Sequence, residues 1–372
     1  MDLYLVTPGF EDALRAELAE SRTLAPGLVE ASAPATRDPV FSRQRLPDAR
    51  AVEGASVAAL AEAAYASLEG AIDAWPGPFV VHAVTPPPAP APDAPTVLPG
   101  ARLAHSRALK KAKPDAKPEA SKAEAVLERR AALVEAAFVA LVEARRKRAS
   151  RRRRPAEAPG PFDETVLLVQ MLAATRERFF VSAAAPRALP RGGFDLAPWP
   201  AGAPPVAEDR TPPSRAYRKL EEAFAWMGAA PRAGETCVDL GAAPGSWTVM
   251  AARRGARVVA IDRAPLAPAV ARLPGVSTIA GNAFTYEPPA PVDWLLSDIV
   301  CEPERAIALV DAWLGAGRCR QLVVTVKFRG REQYGTLAAL EPIFARAAPA
   351  FARVKQLAHN KNEVTVMVRR TT

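Results

Sequence analysis

The sequence predicts an α/β chain: a doubly wound, mostly parallel sheet in the C-terminal half, preceded by a smaller α+β region. Three observations carry this prediction. Beyond residue 208, short and nearly continuous apolar runs alternate with helical patterns, the mark of strands covered on both faces. Residues 237–255, CVDLGAAPGSWTVMAARRG, read as a strand, a turn of small residues and the opening of a helix. The 38 prolines are gathered in a few stretches, which places connectors between compact units.

A chain of 372 residues implies two or three domains. Its formal net charge of +9 suits a polyanionic partner such as nucleic acid. Cys237, Cys301 and Cys319 lack paired spacing, and His82, His105 and His359 lie far apart, so neither a metal site nor a disulfide framework is expected. The N-terminus carries Asp2, Glu11 and Asp12 around a brief apolar run, which fits neither a signal peptide nor a membrane span; a cytoplasmic monomer is expected.

In the first region, 1–185, DLYLV is a strand that turns at Pro8-Gly9 into a helix with Phe10, Leu14 and Leu18 on one face. PFVVHAVTP is a second strand, ended by the Pro/Ala-rich run PPPAPAPDAPTVLPG. Residues 121–148 suit an amphipathic helix with Leu127, Val134, Phe138 and Leu141 inward. It runs into EARRKRASRRRR, where Arg145, Arg146, Lys147, Arg148, Arg151, Arg152, Arg153 and Arg154 form either a solvated end or a phosphate-binding arm. ETVLLVQMLAATRERFFVSAAAP supplies two closing strands, and a Pro/Gly-rich linker follows at 186–207.

In the second region, 208–372, the strands are TCVDL, ARVVAI, VSTIA, VDWLLS, QLVVTVKF, FARVKQL and EVTVMVRR. The last two are joined by AHNKN, too short for a helical crossover, so they should pair antiparallel. Such a sheet is similar to that of class I methyltransferases.

The turn Gly241-Ala242-Ala243-Pro244-Gly245-Ser246 lacks one glycine of the dinucleotide fingerprint and the Lys-Ser/Thr pair of a P-loop, so a pyrophosphate is disfavoured. Asp239 just ahead of it suits a cationic or zwitterionic ligand. Asp262 ends the second strand, where a carboxylate can accept both ribose hydroxyls, and Asn282 follows the third, where an adenine edge would lie. Together they favour S-adenosylmethionine. Four ionisable residues fall around that ligand: Lys219 before the first strand, Asp298 after the fourth, Lys327 at the end of the fifth and Glu363 at the start of the last. Charges at the ends of apolar strands need partners or solvent, and a structural network is the alternative to a catalytic one.

These motifs resemble the FtsJ-like family of RNA ribose 2′-O-methyltransferases, and within it the enzymes acting on a cytidine of 23S ribosomal RNA. PPSRAYRKLEEAF, DLGAAPGSWT, SDIV, VTVK and NEVTVMVRR carry the likeness over about residues 208–370. The resemblance implies a Lys219-Asp298-Lys327-Glu363 tetrad, with Lys327 as general base once desolvation and the neighbouring Lys219 lower its pKa from about 10.4. Asp298 would orient Lys327 near the sulfonium, and Glu363 would fix Lys219. Ser214, Ala243, Pro244, Gly245 and Ser246 would touch the cofactor; Ser214 is equally a helix cap. Trp247, beside that loop, reads as packing rather than base stacking. Asn282 replaces the family's acidic residue. VTPGFEDALRAELAE and FSRQ are similar to that family's start, which implies a ferredoxin-like segment and a THUMP RNA-binding domain; the Ala/Lys/Arg-rich residues 100–155 depart from it. Two rivals stay open: a methyltransferase for small molecules or proteins, and a non-catalytic RNA-binding or ribosome-assembly factor.

Overall fold

The computed structural model describes residues 1–87, 120–149 and 162–370. The chain divides into two compact units, 1–188 with 194–202, and 189–193 with 203–372. Among the described residues, no helix is long and apolar enough to cross a membrane.

The first unit holds two sheets. β1 (Asp2–Val6), α1 (Glu11–Arg15), β2 (Ser21–Ala25), β3 (Leu28–Ala31) and β4 (Ser42–Leu46) build an antiparallel sheet in the order β2-β3-β1-β4. β3 and β4 are joined by irregular chain rather than by a second helix, so this sheet lacks one helix of the ferredoxin-like pattern. β5 (Arg50–Glu53), β6 (Phe79–Val84), β7 (Leu167–Ala173) and β8 (Arg178–Ala184) form the other, in the order β5-β8-β7-β6 with β6 and β7 parallel. Its core face is covered by α2 (Val57–Ala74) and α3 (Ala120–Ala149). α2 starts where the Ser56 side chain accepts the Ala59 N–H, satisfying one of the free donors of its first turn. In α3, Val134, Phe138 and Val142 recur at helical spacing and are fully buried.

The proline- and glycine-rich stretch at 186–207 is divided between the two units. Residues 189–193 belong with the second unit: the Arg191 carbonyl accepts the Ala352 N–H at 3.0 Å and its guanidinium pairs with Glu341. Residues 194–202 belong with the first, through the Ala188–Phe194 bridge and Asp195, whose carboxylate meets Arg187 and Arg45. Backbone polar groups that find protein partners hold their segment in place, whatever its composition.

The second unit is one seven-stranded sheet. In chain order it contains α4 (Tyr217–Met227), β9 (Thr236–Leu240), α5 (Ser246–Ala252), β10 (Arg257–Asp262), α6 (Pro268–Ala271), β11 (Val276–Ala280), β12 (Val292–Ser297), α7 (Pro303–Gly315), β13 (Cys319–Lys327), α8 (Leu340–Ala347), β14 (Phe351–Lys355) and β15 (Glu363–Arg369). The strand order is β11-β10-β9-β12-β13-β15-β14, with β15 antiparallel to both neighbours. The order reverses between β9 and β12, which opens a crevice beyond their carboxyl ends, the place where ligands of such sheets gather. Trp294, Leu296, Val323 and Met367 form the centre of one face, against Leu220, Phe224 and Trp247 of the helices.

Candidate active site

The turn after β9 is shaped by two glycines that no other residue can replace without strain. Gly241 has φ +73°, and a Cβ there would lie 2.3 Å from the Ile299 side chain. Gly245 has φ +114° and a Cβ would lie 2.8 Å from Val270. The Gly241 and Ala242 N–H groups donate to the Ile261 carbonyl, tying the turn to the end of β10. The result is a cleft of about 560 Å³, walled by Gly241, Ala243, Asp262, Asn282, Asp298 and the chain that follows each strand.

Five of the residues expected to hold a cofactor therefore line one cleft, from four neighbouring strand ends. Asp262 uses one carboxylate oxygen for the Ala243 N–H (3.0 Å) and the other for the Ala264 N–H (2.9 Å), so each retains a lone pair toward the cleft. The Asn282 side-chain oxygen accepts the Phe284 N–H at 3.2 Å, a local Asx-type turn. Asp239, Ser246 and Trp247 are buried behind the turn. Asp239 accepts the Thr248 hydroxyl at 2.6 Å; burial pushes its pKa up to about 7, the Thr248 bond opposing. The Ser246 hydroxyl meets the N–H, hydroxyl and carbonyl of Ser214, and the Ser214 hydroxyl also accepts the Ala216 N–H, a turn leading into α4. The Trp247 indole donates to the Ala216 carbonyl and packs in the core. Pro244 follows Ala243 through a cis peptide bond.

The four ionisable residues converge beside this cleft. Lys219 Nζ contacts both oxygens of Asp298 (2.8 and 2.7 Å) and Glu363 Oε1 (3.1 Å). Lys327 Nζ contacts Asp298 Oδ1 and, at 2.9 Å, Glu363 Oε2. The cluster thus alternates charge, each ammonium touching both carboxylates. Register explains half of it: Lys327 and Glu363 are direct cross-strand partners of β13 and β15. Thr325, on the same face as Lys327 by strand alternation, donates its hydroxyl to Asp298 Oδ1 at 2.7 Å. Sequence reading passes over Thr325, although its place two residues before Lys327 is the signal.

Burial pushes the Asp298 and Glu363 carboxyls up, but Lys327 and Lys219 outweigh it and hold both below the usual range. For Lys327 burial favours the neutral amine, yet Asp298 and Glu363 outweigh that too, and its pKa is raised. The lowering that a general base requires is therefore not present in the ligand-free protein, where two carboxylates at contact distance dominate a cation that is not bonded to Lys327.

Of the basic run, Arg145 and Arg146 are engaged within the first unit. Arg145 pairs with Glu62 (2.9 Å) and Glu69 (3.7 Å) and lies over the Tyr65 ring. Arg146 donates to the Ile72 and Trp75 carbonyls at the end of α2 and covers Phe79. The side chains of Lys147 and Arg148, and Arg151, Arg152, Arg153 and Arg154 entirely, lie outside the described residues.

Residues 212–348 match the family model described as FtsJ-like methyltransferase. Over 185 residues the chain is 41% identical to the ribosomal RNA large subunit methyltransferase M of Pseudomonas syringae pv. syringae, covering 46% of this chain and 51% of the relative. The protein of the same name from Pseudomonas fluorescens is 40% identical over the same length and shares. The chain spans about half the length of these curated relatives. Among solved structures, a Burkholderia thailandensis 1,6-didemethyltoxoflavin-N1-methyltransferase, with S-adenosylhomocysteine bound, aligns at 20% identity and TM-score 0.31 over 43% of this chain and 80% of its own. Residues 212–348 thus resemble an FtsJ-like methyltransferase domain, over the stretch whose motifs imply it.

Proposed function

Starting from an FtsJ-like methyltransferase domain, we propose that the protein transfers a methyl group from S-adenosylmethionine to a ribose 2′-hydroxyl of large-subunit ribosomal RNA, at a cytidine. The observation that carries this reading is the closed Lys219-Asp298-Lys327-Glu363 cluster, one member of which, Asp298, is also a wall of the cofactor cleft. A purely structural ion network has no reason to open onto a ligand cleft.

The cleft fits the cofactor by its own chemistry. Gly241 brings backbone to the cleft wall, Asp262 has acceptor capacity for a diol, and the Asn282 amide offers both a donor and a residual acceptor to a base edge. When bound, S-adenosylmethionine supplies an electrophilic methyl group on a positive sulfur. Asp298 stands where it can offset that charge. Lys327 is the acceptor of the hydroxyl proton, because an alcohol becomes a competent nucleophile only as its proton leaves. To serve, Lys327, whose side chain is partly accessible, first releases its own proton to solvent. A second cation brought near Asp298 weakens the carboxylate's hold on it, and exclusion of water deepens the burial that favours the neutral amine. Lys219 keeps Asp298 and Glu363 ionised and in place meanwhile. Alignment of the hydroxyl with the methyl group is the remaining task.

The basic composition favours RNA over a small molecule or a protein, and the relatives' printed name supplies the large-subunit substrate. The N-terminal unit is the candidate RNA-docking part. The test is incubation of the purified chain with labelled cofactor and either 23S ribosomal RNA or cell protein, followed by digestion to nucleosides. Label in 2′-O-methylcytidine is the result expected; label in protein or in a base would overturn the reading.

A further inference from the structure

One turn after Lys219 on α4 lies Glu222, a carboxylate with 0% exposure. A buried charge costs several kcal/mol unless its oxygens are fully bonded, and here every bond goes to one place. Oε1 accepts the Ala358 N–H at 2.7 Å; Oε2 accepts the His359 N–H at 3.0 Å and the His359 Nδ1–H at 2.8 Å. A carboxylate only accepts, so the imidazole donates from Nδ1. Ala358 and His359 belong to the turn between β14 and β15, and that turn ends at Glu363.

We propose that Glu222 is a positioning residue for the tetrad: its carboxylate pins the turn before β15 to α4, which fixes Lys219 against Glu363. The inference rests on the methyl-transfer reading above. The turn is internally rigid, since Asn360 Oδ1 accepts both the Leu357 N–H (2.7 Å) and the Thr365 hydroxyl (3.1 Å). Asn362 also exchanges bonds with the backbone of Phe328 on the far side of Lys327. The turn is therefore bonded within itself and to the end of β13, and the Glu222 contacts are what tie it to α4. Lys219 and Glu222 share a helix face at i and i+3, so a shift of the turn along α4 alters the 3.1 Å contact between Lys219 and Glu363 directly.

Glu222→Gln keeps the shape but sets an amide NH2 against donors. Measured in single turnover, with the chain in excess over 23S ribosomal RNA, it should lower the transfer rate about tenfold, as small misplacements of reacting groups do. Affinities for cofactor and RNA should stay within about twofold. A merely structural role would not reproduce a further expectation: in a Glu363→Ala background, which removes the Lys219 contact outright, Glu222→Gln should add almost nothing, because it acts through the contact already lost. An unchanged rate in the otherwise native chain, or an equal loss in both backgrounds, would overturn the proposal. Should Glu222→Gln fail to fold, His359→Ala removes one contact of the three and carries the same cycle. If the unaltered chain transfers no methyl group, the function proposed above fails instead. The positioning is then decided by a crystal structure of Glu222→Gln: loss of the Lys219–Glu363 contact supports it, and retention contradicts it.

Discussion

Lys327 and Glu363 face each other as direct partners on antiparallel strands, and their side chains meet at 2.9 Å. With Asp298 on its other side, the Lys327 ammonium is held by two carboxylates, and its pKa stands above the ordinary lysine value. A general base must be neutral to act, so under the proposed mechanism the protein at rest holds Lys327 in the inactive form.

The pH dependence of kcat/KM reports groups of the free enzyme. Because Lys327 is raised there, kcat/KM should climb with pH through the neutral range and on past about 9, without a plateau near 7. Burial of the bound complex should bring the corresponding limb of kcat to lower pH. A plateau of kcat/KM near neutrality would mean that another group, or an already neutral Lys327, is the base.

Asp239 carries the opposite consequence for stability. Its folded pKa, pushed up to about 7 by burial, exceeds the ordinary carboxylate value of 3.8. The folded state thus binds this proton more tightly, and the stability so gained is present below about 4 and lost as pH rises to about 7. Asp239→Asn, whose amide oxygen can still accept the Thr248 hydroxyl, removes that dependence. Thermal unfolding should show the wild-type midpoint falling relative to the variant by several degrees from pH 4 to pH 7, at about 2–4 °C per kcal/mol for a unit of this size. Parallel curves would refute the shift.

Arg145 and Arg146 test how much of the basic run is structural. Arg146→Ala removes a charged donor from the Ile72 and Trp75 carbonyls at the end of α2, of which Ile72 keeps the Trp75 N–H, and should cost about 1.5–3 kcal/mol in denaturant unfolding. Arg145→Ala, in an exposed pair, should cost less than about 1 kcal/mol. Neither should change the slope of log affinity for RNA against log salt by as much as about one unit. A lower slope would assign these side chains to phosphates.

The sheet of the second unit is legible in the sequence because each strand is a short apolar run closed by a turn, and all seven fall where the runs lie. Three members of the charged cluster are legible for the same reason: Asp298, Lys327 and Glu363 are charges at the ends of such runs, whereas Lys219 lies within α4. The first unit reads poorly. α2 buries Leu60, Ala64, Leu68 and Ile72, but so many of its residues are alanine that its stripe barely contrasts with its outer face. β4 turns Ser42 and Gln44 inward with Leu46, so its alternation is polar on the buried side; Gln44 is satisfied by the Ala197 backbone, far along the chain. Glu222 and His359 form a pair across 137 residues, and no local pattern announces it. The protonation of Lys327 depends on which charges touch it, a matter of register that spacing does not disclose.

The most direct test of the account is the single-turnover rate of Lys327→Ala, measured together with its affinity for S-adenosylmethionine. Lys327 meets Asp298 and Glu363 but is not itself among the residues that wall the cleft. The rate should therefore fall by about 10²–10⁴-fold, the usual worth of a general base, with cofactor affinity within about twofold of wild type. Transfer within about tenfold of the wild-type rate would contradict Lys327 as the group that receives the ribose proton.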